Sequence, residues 1–162
     1  IKRAYMKRFF TLAFTIFAFS TSAFAQANVA SQQVTINVNE IAVISVVGNV
    51  SMTINAATAG QAPDAVTASS TYHMTTNGSD KKITGELDVN MPTGLTLNTT
   101  MAAPTGATSE GKKSLSTSSV DLVKSITRVR GAGLALNYQA VATVDAEPDT
   151  VVRTVTYTIT NN

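Results

Sequence analysis

Apolar and polar side chains alternate along much of the chain after residue 33, which is the pattern of strands that bury one face. Alternating segments lie at 34–38, 50–54, 82–89, 95–99, 134–142 and 151–160, and a nearly continuous apolar run lies at 41–47. Short strands at this spacing predict an all-β fold, an immunoglobulin-like β-sandwich of about seven to nine strands. The abundant β-branched residues suit such pleated surfaces.

Turn residues predict how these strands are joined. Gly48-Asn49 predicts a tight turn. The turn at 77–80 begins Asn-Gly and predicts a hairpin between the strand ending at Thr76 and the segment 82–89. In that segment Ile83, Gly85, Leu87 and Val89 should share one face. The turn at 145–149 predicts a terminal hairpin between the last two alternating segments.

Other stretches interrupt the alternation. Residues 56–65 and 102–113 carry glycine and proline and predict loops, of which the second is the longest. Ser119 precedes Val120-Asp121-Leu122-Val123 and predicts one capped helical turn. Arg153 falls on the apolar parity of the last segment, which places it at a strand end or on an exposed edge.

The first 25 residues have the composition of a cleaved secretory signal peptide. Met6-Lys7-Arg8 is a short basic region, 9–19 is apolar, and Ala23-Phe24-Ala25 predicts cleavage before Gln26. Residues 1–5 precede Met6, the expected start. A membrane anchor is the alternative, but it needs about 20 apolar residues. We therefore expect residues 26–162 to form a single β-sandwich domain without a membrane span, secreted, periplasmic or at the cell surface.

Removing the signal peptide changes the charge of the chain. Four of the twelve basic residues precede Gln26, and all ten acidic residues follow it. Residues 26–162 therefore carry eight basic and ten acidic side chains, which gives a net charge of −2. A nucleic-acid partner would need a clustered basic face, and we expect none. The doublets Lys81-Lys82 and Lys112-Lys113 are interpreted as solvated turn residues.

Aromatic residues and cysteine are scarce in the mature part. All six phenylalanines precede Gln26, so its aromatic residues are Tyr72, Tyr138 and Tyr157. The core must therefore be built mainly from aliphatic side chains and methionine. The chain has no cysteine, which excludes a disulfide framework and thiolate metal ligands.

Few residues offer catalytic or metal chemistry, so we expect no enzymatic activity and no cofactor. His73 is the single histidine and is interpreted as a surface or edge residue of a strand. Asp145, Glu147 and Asp149 are a weak candidate for a Ca²⁺ site, because Ca²⁺ takes six to eight oxygen ligands. The loop lacks the spacing of an EF-hand, and a solvated turn is the preferred interpretation.

The signal peptide, the cysteine-free Thr/Val-rich body and the final strand Thr154-Val155-Thr156-Tyr157-Thr158-Ile159-Thr160 together resemble bacterial fimbrial and spore-coat-U-like β-sandwich surface proteins. The chain is also similar to uncharacterised secreted bacterial proteins. It departs from many chaperone–usher pilins, which carry a cysteine pair. The resemblance implies a structural subunit or adhesin whose sheet edge is completed by a strand from a neighbour.

These observations leave two functions open. The first is a secreted structural or adhesive cell-surface protein, such as a pilus- or fimbria-like subunit, which would self-associate by strand addition or bind other surface proteins. The alternative is an extracellular carbohydrate- or ligand-binding module. The arm at 26–33 leads into the alternating segment 34–38. We expect this arm to cover an edge of its own sheet, with donation to a neighbour as the alternative.

Overall fold

The computed structural model describes residues 29–162, so the predicted signal peptide and its cleavage site lie outside the described residues. The chain divides into a unit ending at Asn37 and a second unit, Val38–Asn162. Residues 29–37 of the first unit have no regular secondary structure and are exposed.

The second unit is an all-β sandwich of nine strands. They are β1 (Ala42–Val46), β2 (Val66–Thr76), β3 (Lys81–Leu87), β4 (Leu95–Met101), β5 (Thr108–Ser109), β6 (Lys113–Ser114), β7 (Val120–Ile126), β8 (Val129–Ala142) and β9 (Val155–Asn161). Residues 29–162 contain no helix, and therefore none long and apolar enough to cross a membrane.

Two antiparallel sheets form the sandwich. The first has the strand order β1-β2-β8-β4-β6 and the second has the order β5-β7-β3-β9. The longest pairing joins β2 to β8, from Val66 opposite Ala140 to Thr76 opposite Val129. In the second sheet, β3 and β9 pair without interruption from Lys81 opposite Asn161 to Leu87 opposite Val155.

The core lies between the inner faces of the sheets. Its fully buried side chains include Tyr72, Ile83, Met101, Leu122 and Leu136. Gly85 also faces inward, where a β-carbon would lie 2.8 Å from Leu122 Cδ1. The predicted sandwich is thus confirmed, with an aliphatic and methionine core to which two buried tyrosines contribute.

Both predicted hairpins are wrong. β2 and β3 belong to different sheets, so the turn at 77–80 is a corner that carries the chain from one sheet to the other. β8 pairs with β2 and β4, whereas β9 pairs with β3, so the turn at 145–149 is a second corner. A strand that buries one face alternates in the same way whether it pairs with the next strand or packs across the core from it. The turn residues also fit both a hairpin and a corner, so the sequence pattern does not distinguish them.

The predicted helical turn is also wrong, because residues 120–126 form strand β7. The pairing of β7 with β3 shifts at two places, between Lys81 and Ile83 and between Ile83 and Thr84. These bulges turn both Leu122 and Val123 inward, where each is fully buried. Apolar residues at 122, 123 and 126 therefore imitate helical spacing.

Two further predicted strands are absent from the described chain. Residues 34–38 and 50–54 have no strand assignment, although Met52 and Ile54 are half-buried with exposed neighbours. Gly48 lies between β1 and the segment 50–54, and its φ of +65° is the positive angle that the predicted turn requires. The loop at 56–65 is confirmed, and the one at 102–113 contains β5 and the first residue of β6.

Asp88 follows β3 and fixes the approach to β9. Its carboxylate accepts hydrogen bonds from the backbone N–H groups of Thr154 at 3.0 Å and of Val89 at 2.9 Å. The bond from Thr154, followed by that from Val89 and the charge of Arg153, lowers the pKa of Asp88. A lowered folded-state pKa stabilises the fold above the unfolded value of about 3.9, and that stability is lost as the pH falls through the folded value.

We therefore expect the stability advantage of the wild type over Asp88→Asn to be present at pH 7 and to shrink below about pH 4. Urea unfolding midpoints of both proteins at pH 7 and pH 3 test this. Asp64→Asn is the control, since the Asp64 carboxylate accepts no hydrogen bond within the described residues. An equal difference at both pH values would contradict this role of Asp88.

Candidate functional site

The outer edge of β9 is the first candidate site, because within residues 38–162 it is a sheet edge without the usual protection. β9 pairs with β3 on one side and with no described strand on the other. Its sequence, VTYTITN, has no charge and no proline, and its pairing with β3 has no bulge. Edge strands of monomeric proteins usually carry charges, prolines or bulges that prevent pairing with another chain.

The position beside β9 is one that an immunoglobulin-like sandwich normally fills. That fold has one sheet of strands A, B, E and D and a second of C, F and G. β1, β2, β8 and β4 correspond to A, B, E and D, while β3 and β9 correspond to C and F. Within residues 38–162, no strand occupies the position of G.

The surroundings of this open position are apolar. Val155, Tyr157 and Ile159 of β9 face the core but are only partly buried. Cα atoms of β1, the edge strand of the facing sheet, come within 8 Å of β9. Among the described residues, no hydrogen bond involves 49–55, although Met52 from this segment packs against the core.

The segment before β1 carries exposed apolar side chains at alternating positions. Val34, Ile36 and Val38 are 73%, 80% and 77% exposed, and polar Thr35 and Asn37 lie between them. This alternation is the pattern of a half-buried strand. The segment 34–38 is nevertheless not part of a sheet in the described chain.

A second candidate is a cluster of polar side chains at one end of the sandwich, formed by Lys81, Glu40 and Asn161. Lys81 Nζ lies 2.5 Å from Glu40 Oε1 and 2.5 Å from Asn161 Oδ1. The Lys81 side chain is 8% exposed, whereas that of Glu40 is 61% exposed. Lys81 is therefore not the solvated turn residue that the doublet Lys81-Lys82 led us to expect.

The corner after β2 holds Glu40 in this place. Asn77 Nδ2 donates to the carbonyl of Asn39 at 2.8 Å, and Asn77 Oδ1 accepts from the N–H of Ile41 at 2.6 Å. Gly78 leaves the space that the cluster occupies, because a β-carbon there would lie 2.6 Å from Lys81 Cε. One Asn-Gly turn thus positions both the acid and the amine.

Some of the other charged residues form a surface network around β3 and β7. Asp121 lies 3.1 Å from both Lys82 and Lys124, and Lys124 also lies 3.8 Å from Glu110. Hydrogen bonds from Lys124 and Lys82 lower the pKa of Asp121, and the bond to Asp121 with the charge of Glu110 raises that of Lys124. These ion pairs link β7 with β3.

The tyrosines of the described chain face inward. Tyr72 is fully buried and donates to the carbonyl of Ala102, and burial raises its pKa to about 12. The hydroxyls of Tyr138 and Tyr157 lie 2.7 Å apart across the two sheets. Burial, the largest cause, raises the pKa of both. None of the three offers an exposed ring on which a sugar could stack.

The residues singled out in the sequence are not brought together. His73 is exposed on β2, where its Nδ1 accepts from the N–H of Gly133 at 3.2 Å. Asp145, Glu147 and Asp149 are all exposed, and residues 29–162 contain no group of three acidic, histidine or cysteine side chains able to hold a metal ion.

We expect a chelator to leave the melting temperature unchanged, because a solvated 145–149 turn has no native-state ligand to lose. Differential scanning fluorimetry with EDTA and with millimolar Ca²⁺ measures this, and Asp145→Asn is the matched variant. A rise of several degrees with Ca²⁺ that disappears in Asp145→Asn would show that the loop binds the metal.

The Lys81 cluster was missed because its three members lie far apart in the sequence. One signal was present, since Lys81 has the parity of Ile83 and Leu87, which marked it as a core-facing position. Glu40 and Asn161 gave no such signal, because their approach depends on the corner at 77–80 and on the pairing of β9 with β3.

The chain was compared with known proteins at three levels. No model of a known protein family, no curated protein and no solved structure matches it.

Proposed function

We propose that this chain is a secreted structural or adhesive cell-surface protein, a pilus- or fimbria-like subunit whose copies join by strand addition. The observation that carries the proposal is a strand position beside β9 that no strand of residues 38–162 fills, in a chain that also has an exposed, alternating apolar segment at 34–38.

The segment 34–38 is the occupant that fits this position best. Placed beside β9 of a neighbouring copy, it would satisfy a row of unpaired backbone groups, as strand addition does in other proteins. Val34, Ile36 and Val38 would then cover the half-buried side chains of β9. Thr35 and Asn37 would face solvent like the threonines of β9 itself.

The geometry of such a contact determines the assembly. The donor is a segment before β1 and the acceptor is the edge of β9, so each copy offers two different surfaces. A contact of this head-to-tail kind repeats from copy to copy and builds a filament unless it closes into a ring. The resemblance to fimbrial proteins agrees with this expectation.

Electron microscopy of the purified mature protein tests the proposal. We expect filaments or long oligomers, and sedimentation should place most of the protein in the pellet. A protein that stays monomeric at high concentration, without oligomers on the grid, would contradict a self-assembling subunit.

The alternative, a carbohydrate- or ligand-binding module, rests on the polar outer face of the first sheet. Ser69 and Asn137 hydrogen-bond there at 2.9 Å, and Lys112 reaches Gln139 at 3.3 Å. Sugar-binding faces usually add aromatic platforms, and the tyrosines are turned inward. Strand addition is therefore the better supported function.

A further inference from the structure

We propose that Lys81 and Asn161 react to form an intramolecular isopeptide bond, with Glu40 as the group that moves the proton. This modification does not depend on strand addition between copies. It follows from an amine, a carboxamide and a carboxylate held in mutual contact at one end of the sandwich.

The amine and the carboxamide are neighbours by strand pairing. Lys81 and Asn161 lie directly opposite each other in β3 and β9, and both have the core-facing parity of their strands. Side chains directly opposite in an antiparallel pair lie on the same face, with β-carbons about 5 Å apart. The backbone therefore fixes this contact.

The distances suit an attack on the amide carbon. Lys81 Nζ lies 2.5 Å from Asn161 Oδ1. Asn161 Cγ is bonded to that oxygen by about 1.2 Å, so it lies at most about 3.7 Å from Nζ, close to the roughly 3–3.5 Å of a near-attack arrangement.

The proton acceptor is also in contact with the amine. Glu40 Oε1 contacts Lys81 Nζ at 2.5 Å, and Asn77 holds the backbone on both sides of Glu40. Gly78 lies over the pair, where a β-carbon would come within 3.2 Å of the Glu40 carboxylate. These contacts restrict an acid that is otherwise exposed.

The reaction balances without any further reactant. Glu40 accepts a proton from the ammonium group, and the free Nζ attacks Asn161 Cγ. As the Nζ–Cγ bond forms, Nζ gives up its second proton, and as the Cγ–Nδ2 bond breaks, Glu40 passes both protons to the departing nitrogen. An ammonium group and a carboxamide become a secondary amide and an ammonium ion, which is released as ammonia and a proton. Because ammonia diffuses away, one event in the lifetime of each molecule is enough.

The bond would fasten an edge strand of the second sheet. β9 pairs only with β3 among the described strands, and the cross-link lies at the end of that pairing. It would close a loop between residues 81 and 161, which restricts the unfolded chain as a disulfide across the same span would. A surface protein without cysteine would thereby gain a covalent brace.

Intact mass spectrometry under denaturing conditions tests the bond. We expect the mature protein to be lighter than its sequence by the mass of one ammonia. Asn161→Ala, at an exposed residue, should have the full mass. Glu40→Gln should have the full mass or convert slowly, and both variants should melt lower by about 10 °C or more.

A mature chain that begins with Gln26 would also lose ammonia if that glutamine cyclised, so the site must be located. Trypsin does not cleave after a lysine whose amine is acylated. Tandem mass spectrometry of a tryptic digest should therefore find the peptide 154–162 attached to a peptide that contains an uncleaved Lys81 and ends at Lys82. Folded wild-type protein at full mass, or a loss confined to Gln26, would overturn the proposal and leave Lys81–Glu40 as an ion pair.

Discussion

Replacing Ile36 by aspartate is expected to abolish filament formation while leaving the sandwich folded. In the proposed assembly, Ile36 is the central apolar side chain that a copy contributes to the uncovered core of its neighbour. A buried, unpaired carboxylate there would cost several kcal/mol, enough to reduce association at least about a hundredfold. Pelleting and electron microscopy measure the loss, and circular dichroism with thermal melting reports the fold.

Asn37→Asp is the matched control, because residue 37 has the opposite parity and should face solvent in the assembly. It introduces the same charge one residue away, and we expect filaments to persist. Deleting residues 26–38 should likewise leave a folded monomer. If Ile36→Asp assembles normally, or if the deletion unfolds the domain, the segment is not a donated strand.

Leu122→Ala is expected to destabilise the sandwich by about 2–5 kcal/mol, the range found when a buried leucine is truncated and a cavity remains. Leu122 is fully buried where a bulge of β7 turns it inward, and its side chain packs over Gly85 of β3. Chemical denaturation of the assembly-deficient Ile36→Asp background measures this change without interference from filaments.

Val144→Ala is the control for truncation of an apolar side chain, because Val144 is 80% exposed. We expect a change within about 0.5 kcal/mol. If Leu122→Ala costs no more than Val144→Ala, then β7 does not complete the core as described.

Strand positions could largely be predicted from the sequence, whereas their partners could not. Alternation located β4, β8 and β9, because one buried face imposes a two-residue period. It could not show that the turns at 77–80 and 145–149 change sheets, since a strand that pairs with its neighbour and one that crosses the core have the same pattern. Bulges broke that period in β7, where Ser119 as a helix cap had predicted a helical turn instead.

The candidate sites were predictable only in part. From the sequence we expect the arm that leads into 34–38 to cover its own sheet edge, and donation to a neighbour stays the alternative, because both uses of the arm have the same local pattern. That the position beside β9 is open depends on the order of strands in both sheets, which no local pattern contains. The contact of Glu40, Lys81 and Asn161 likewise depends on segments about 40 and 80 residues apart meeting at one end of the fold.

Disulfide trapping between copies tests strand addition most directly, because the chain has no cysteine of its own. Thr35→Cys would be prepared in one sample and Thr156→Cys, Thr158→Cys or Thr160→Cys in others, and the samples mixed during assembly and oxidised. The account predicts a cross-linked dimer of the two variants for at least one position on β9. It predicts no cross-linked dimer with Ser114→Cys on β6, which is the edge strand of the first sheet farthest from β1. Filaments that form without any cross-link to β9, or that cross-link equally well through β6, would contradict it.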